Sequence, residues 1–195
     1  MLDKNMDWGT LRGEDGNWHN FTKIAEICMR VHRDRALPSY QRFQSEMPPE
    51  DMFTPPEKME GSLGYMDTTQ LMKVGEYADD TPQAEWVRRV HRLDFCHTKF
   101  HVQPSGMTVK NHRDFNGTLH RLYGKTFGTQ QVVKILHFLS DWRMGQVVMM
   151  GDDAIVGWKA GEAVTFPWYM EHATANAHES HERALLFIAG LRLQK

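Results

Sequence analysis

Cysteine is scarce in this chain: two of 195 residues, Cys28 and Cys96, in unrelated segments and neither in a Cys-x-x-Cys pair. That excludes a disulfide framework and favours two buried thiols in a reducing compartment over a single bridge. Long apolar runs are missing as well. None approaches the roughly 20 residues a membrane span needs. The opening stretch, MLDKNMDWGTLRGEDGNW, has no apolar core of the kind a secretory leader carries. The expectation is a soluble, cytoplasmic protein with no membrane partner. An excess of one charge is also absent. The net charge is -2 and the pI about 6.6, so nucleic acid, duplex DNA above all, is not a favoured partner. Repeats and low-complexity tracts are lacking too. The whole chain, 1–195, reads as a single domain.

What is present changes character near residue 95. The first part, 1–94, reads as helical and irregular. Asn17 to Asp34 puts Phe21, Ile24, Ile27, Cys28 and Val31 at helical spacing. Residues 37–62 hold five prolines, which predicts extended loop. Thr81-Pro82 has the chemistry of an N-cap and first helical position, and Trp86, Val90 and Leu93 continue an apolar stripe. Self-association through these helices stays open.

From 95 to 195 the apolar segments are short, often β-branched and separated by glycine: FCHTKFHVQ, MTVKN, QQVVKILHFL, QVVMM, AIVGW, EAVTF and RALLFIAGL. Strands this closely spaced leave little room for crossover helices, which disfavours a parallel sheet. The expected class is mainly β with flanking helices (α+β). Its core is an antiparallel jelly roll, a cupin-like double-stranded β-helix, with the N-terminal helices packed outside.

Four residues carry the chemistry. His112 and Asp114 stand two apart, where a strand running through both would turn them to one face and Arg113 to the other. His172 follows about sixty residues later, and the hairpins between can return it to the first pair. Two imidazoles and a carboxylate form the facial ligand set of a non-heme Fe(II) site with open positions. Taken singly, each of these residues is weak evidence in a chain with eleven histidines. Arg183 is the sharper member. It opens RALLFIAGL, which is apolar on both faces, and a guanidinium buried there needs an anion. The bland alternative is a strand-end arginine paired with Glu179 or Glu182 in solvent.

The pattern His112-x-Asp114 … His172-x10-Arg183 resembles the Fe(II)/2-oxoglutarate-dependent oxygenases over roughly residues 95–191. The run GDDAIVGWKAGEAVTFPWYMEHATANA is similar to the second half of their double-stranded β-helix. "DW-x-x-GQV" and "HATANA" resemble phage-associated and marine bacterial members of uncharacterised substrate. The resemblance implies His112, Asp114 and His172 as metal ligands, with Fe(II), 2-oxoglutarate and O2 as cofactor and co-substrates. It implies Arg183 on the distal carboxylate of 2-oxoglutarate. The reaction would be oxidative decarboxylation to succinate and CO2 coupled to hydroxylation of a C–H bond of a small molecule, peptide or protein side chain. The chain departs from many relatives at Leu185, where they carry Ser or Thr on the co-substrate. Lys134, Tyr123 or Thr108 are the replacements to weigh. For Lys134 the competing reading is a strand-end lysine reaching water.

His178 and His181, in NAHESHE, read as a solvated turn, and His97 and His101 as strand residues. His137 stands opposite Lys134 on one strand, so at most one faces the barrel. Residues 37–80 and 115–130 are the candidate mouth loops, the latter polar with His120, Arg121, Tyr123 and Lys125. Two other functions compete: a cupin-type metal dioxygenase independent of 2-oxoglutarate, and a non-enzymatic β-roll binding module.

Overall fold

The computed structural model describes residues 40–54, 59–61, 71–114, 116–123 and 132–192. The chain divides into two compact units, Met1–Leu37 and Pro38–Lys195, and the second holds everything described below. The helix expected over Asn17 to Asp34 lies outside the described residues, as does Cys28.

Eleven strands are described: β1 Gln41–Gln44, β2 Met59–Gly61, β3 Leu71–Tyr77, β4 Phe95–Gln103, β5 Thr108–His112, β6 Val132–Phe138, β7 Gln146–Met150, β8 Asp153–Ile155, β9 Glu162–Pro167, β10 His172–Asn176 and β11 Arg183–Leu191. They form two antiparallel sheets. The larger has the order β1-β9-β6-β11-β4-β3-β2, and the smaller β5-β10-β7-β8. Consecutive strands alternate between the sheets through β4, β5, β6 and β7, and again from β9 through β11. This is the jelly-roll winding expected from the strand spacing.

The first part departs from expectation in three places. β1 and β2 interrupt the proline-rich stretch 37–62, and β3 occupies part of the presumed mouth loop 37–80. Isolated three- and four-residue strands have little periodicity of their own. β1 exists because β9 offers an edge, with Gln41 opposite Thr165 and Gln44 opposite Glu162. Within 115–130, a short helix, α2 (Gly117–Tyr123), stands where loop was expected.

Helix α1 (Pro82–His91) forms as the sequence predicts. Thr81 Oγ1 accepts from Ala84 N at 3.3 Å, and Pro82 takes a first-turn position. Arg92 closes the helix in the left-handed conformation. Its buried residues Ala84, Trp86, Val87 and His91 pack on Cys96, Phe100, Val102, Ile135, Leu186 and Ile188, the outer face of the large sheet. Gly190 leaves room here: a Cβ at that position would press on the Leu93 side chain just past the helix.

The other face of the large sheet meets the small sheet. Leu136, Phe138, Val164, Phe166 and Leu185 interlock there with Val148, Met150, Ile155, Trp158 and Met170. Both faces of β4, β6 and β11 are therefore buried, which is why their sequences are apolar without clean alternation.

Candidate metal centre

His112, Asp114 and His172 converge at one end of the roll, each offering a ligand atom within 4.8 Å of the others. The route differs from simple strand parity. β5 ends at His112, so Asp114 lies beyond the strand, and Arg113 turns out to pair with Glu171 at 2.8 Å. A β-bulge sets His112. Pairing with β10 runs His172 to His112 but Thr174 to Val109, one residue more on β5 than on β10. Val109 is buried, and three steps along a regular strand would turn His112 to the opposite face. The extra residue restores it to the inside, a use of bulges common next to functional sites.

The donor set fits a divalent metal. His112 Nδ1 lies 2.9 Å from the Lys110 carbonyl, and His172 Nδ1 3.1 Å from that of Met170. A carbonyl can only accept, so each Nδ1 donates a proton to it and each Nε2 is the ring nitrogen turned toward Asp114. The two Nε2 atoms lie 3.9 and 3.8 Å from Asp114 Oδ1. Asp114 Oδ2 is buried with no hydrogen-bond partner among the described residues. A carboxylate beside two imidazole Nε2 atoms is the kind of donor set a divalent metal takes.

Lys134 is brought to this cluster. It is 2% exposed, and its Nζ lies 3.7 Å from Asp114 Oδ2 and over the Phe187 ring. The water-reaching alternative is thereby excluded. Burial lowers its pKa and Asp114 opposes that shift. His137 faces outward, against His91 of α1 at 3.1 Å, so the two residues divide between the faces as their parity requires.

Arg183 is 1% exposed. One Nη donates to the Val147 carbonyl at 3.2 Å, and Nε has no partner among the described residues. No described acid pairs with it, so the solvent pairing with Glu179 or Glu182 does not form. Burial pulls its pKa down to about 9, which leaves it cationic at neutral pH. On β7 and β10, Val147 stands opposite Ala175 and Met150 opposite His172. Three residues separate these pairs, about 10 Å along the strands.

The remaining expected contacts fall elsewhere. Tyr123 donates its hydroxyl to the Cys96 carbonyl at 2.7 Å and packs on Phe95. Thr108 is exposed, on the side of β5 opposite buried Val109. Leu185 sits in the inner core. His178 and His181 shape the β10–β11 turn, where the backbone N–H groups of Ser180 and His181 both donate to His178 Nδ1. His101 stacks on Phe187 with ring centroids 5.5 Å apart.

No family model matches the sequence, and no curated protein matches it either. Solved structures do. A Pseudomonas putida prolyl-4-hydroxylase shares 14% identity over 85% of this chain and 98% of its own, with a TM-score of 0.51. At that identity the likeness shows the fold alone, a jelly roll of that enzyme's kind. SnoN, a non-heme alpha-ketoglutarate-dependent epimerase from nogalamycin biosynthesis, is 9% identical over 89% of this chain and 75% of its own, with a TM-score of 0.47. Cupin proteins also appear, among them the cupin domain of Schizosaccharomyces pombe Cnp3, 8% identical over 62% of this chain and 61% of its own, with a TM-score of 0.39.

Three residues near the site escaped sequence reasoning as a group. His97, Lys99 and Glu76 come together where β4 meets β3, with Lys99 Nζ 2.6 Å and His97 Nε2 3.5 Å from Glu76. A signal existed: FCHTKFHVQ puts His97, Lys99, His101 and Gln103 on one parity and Cys96, Thr98, Phe100 and Val102 on the other. A polar row on a strand buried on both faces is unusual.

Proposed function

We propose that this protein is an Fe(II)- and 2-oxoglutarate-dependent oxygenase that hydroxylates a C–H bond. One observation carries the reading. His112, Asp114 and His172 bring three ligand atoms within 4.8 Å of one another, and Arg183 is a fully buried cation that has no described counter-charge. A metal alone would satisfy the first three residues. An anionic co-substrate would satisfy Arg183 as well.

His112, Asp114 and His172 would hold the metal on one face and leave the other positions open. The Lys110 and Met170 carbonyls lock both imidazoles in the ligating tautomer. Arg183 would orient the distal carboxylate of the co-substrate. Lys134 balances Asp114 and marks the boundary between the charged site and the apolar interior, where Leu136, Met150 and Phe166 exclude water. Fe(II) and 2-oxoglutarate, when bound, supply oxidative decarboxylation with O2 to succinate and CO2, and insertion of the second oxygen atom into the substrate bond.

The test is anaerobic addition of Fe(II) and then 2-oxoglutarate. A visible metal-to-ligand charge-transfer band is expected, lost in Asp114→Ala. Arg183→Met should retain Fe(II) and weaken 2-oxoglutarate by roughly a hundredfold, the loss of one charge-assisted bidentate pair. A folded protein with no band, or an Arg183→Met variant with unchanged co-substrate affinity, would overturn the reading.

A further inference from the structure

Three buried side chains among the described residues bear a permanent charge, and all three are cationic: Lys99, Lys134 and Arg183. No described Asp or Glu is buried. All three lie on the face of the large sheet turned away from α1. Their acidic neighbours are two, Asp114 beside Lys134 and Glu76 beside Lys99. His97 and His101 add no charge, because burial lowers both their pKa values, that of His101 to about 3. Among the described residues, three positive charges against two negative leave one in excess. A divalent metal and a doubly charged 2-oxoglutarate would cancel each other and leave that excess standing.

The excess has a place. Lys134, Ala189 and His97 are cross-strand neighbours on β6, β11 and β4, and Phe187, Lys99 and Glu76 form the next row on β11, β4 and β3. Two interstrand spacings, about 10 Å, separate the Lys134 backbone beside the metal ligands from that of His97. Phe187 lies between, its ring in contact with Lys134 on one side and stacked on His101. Glu76 is the exposed member: its side chain is 50% exposed while that of Lys99 is 10% exposed. Glu76 can swing into water, and Lys99 cannot follow it.

We propose that Lys99 and His97 anchor a single carboxylate on the primary substrate, with Glu76 as the resident anion that the substrate displaces. The inference rests on the oxygenase reading for what occupies Arg183 and the metal site. It names the substrate class: a small monocarboxylic acid that reaches from Lys99 across Phe187 to the metal. One excess charge matches a carboxylate better than a doubly charged phosphate ester.

The test uses the full chain loaded with Ni(II), a redox-silent substitute, and saturating 2-oxoglutarate. Acetate is the probe and acetamide the uncharged control, at constant ionic strength. Ligand binding to the folded state raises the thermal midpoint by mass action. Acetate should raise it saturably and acetamide should not. Glu76→Gln, at an exposed position, removes the internal competitor and should tighten acetate roughly tenfold. Lys99→Met should abolish the response, and His97→Gln should weaken it severalfold should Lys99→Met fail to fold. A response that survives in Lys99→Met and His97→Gln, or none in either wild type or Glu76→Gln, overturns the proposal and leaves Lys99–Glu76 a structural ion pair. The co-substrate reading is scored separately. If 2-oxoglutarate itself fails to raise the midpoint while acetate still acts through Lys99, that reading falls and the carboxylate anchor stands.

Discussion

Acidification should unfold this protein through two histidines that have no part in the site. His91 of α1 and His137 of β6 meet behind the large sheet with Nε2 and Nδ1 3.1 Å apart and rings nearly perpendicular. Each is buried, and the two remaining nitrogens, His91 Nδ1 and His137 Nε2, have no described partner. One proton can sit between the rings. A second puts like charges face to face without water. Burial lowers the pKa of His137 to about 4, and burial together with the charges of His137 and Arg192 lowers that of His91 to about 3. In the unfolded chain both return to about 6.5. Between about pH 6.5 and 4 the unfolded state therefore binds more protons, so stability falls as pH falls. At pH 5 each ring is roughly 1.5 pH units below its unfolded value, which at about 1.36 kcal/mol per unit costs about 2 kcal/mol. Together they remove about 4 kcal/mol, a large part of the 5–15 kcal/mol typical of a domain. The assay is urea unfolding of chelator-treated protein at pH 7 and pH 5. Wild type should lose at least about 4 kcal/mol, since other groups add to the loss. The double variant His91→Phe/His137→Leu should lose about 4 kcal/mol less than wild type over the same interval, whatever its stability at pH 7. Equal losses in the two proteins would refute the assignment.

Two further outcomes follow from packing and charge. Gly190→Ala drives a methyl into Leu93 at the junction of β11 and α1, and should lower stability by about 1–3 kcal/mol in denaturant titration with the metal site intact; an unchanged midpoint would mean that Leu93 yields freely. Lys134→Met removes a cation 3.7 Å from Asp114 and should tighten divalent metal roughly tenfold in chelator competition, because the metal no longer shares its carboxylate with an ammonium; weaker metal binding would show that Lys134 organises Asp114 instead.

Much of the fold was legible because its signals are local. Thr81-Pro82 caps α1 with its own side chain, and the glycine-separated apolar segments became β4 to β9 and β11 with small shifts at their ends. The opposed faces of Lys134 and His137 followed from odd spacing on one strand. β1, β2 and β3 were missed because they are held by edges that neighbours provide and by little of their own pattern. β10 was missed because HATAN is small and polar until two strands flank it.

The chemistry on offer was written in the residues alone: two imidazoles, a carboxylate and an arginine at spacings a jelly roll can bring together, on segments too apolar to leave a charge idle. Which atoms meet was settled by folding. A one-residue bulge turned His112 inward, the end of β5 freed Asp114 from strand parity, and backbone carbonyls chose the tautomer of both histidines. Pairing of β4 with β3 drew Glu76 to Lys99 and His97, and enclosure by both sheets stripped water from Arg183. These are contacts between residues distant in the chain. Their energies depend on burial and register, which no local pattern encodes.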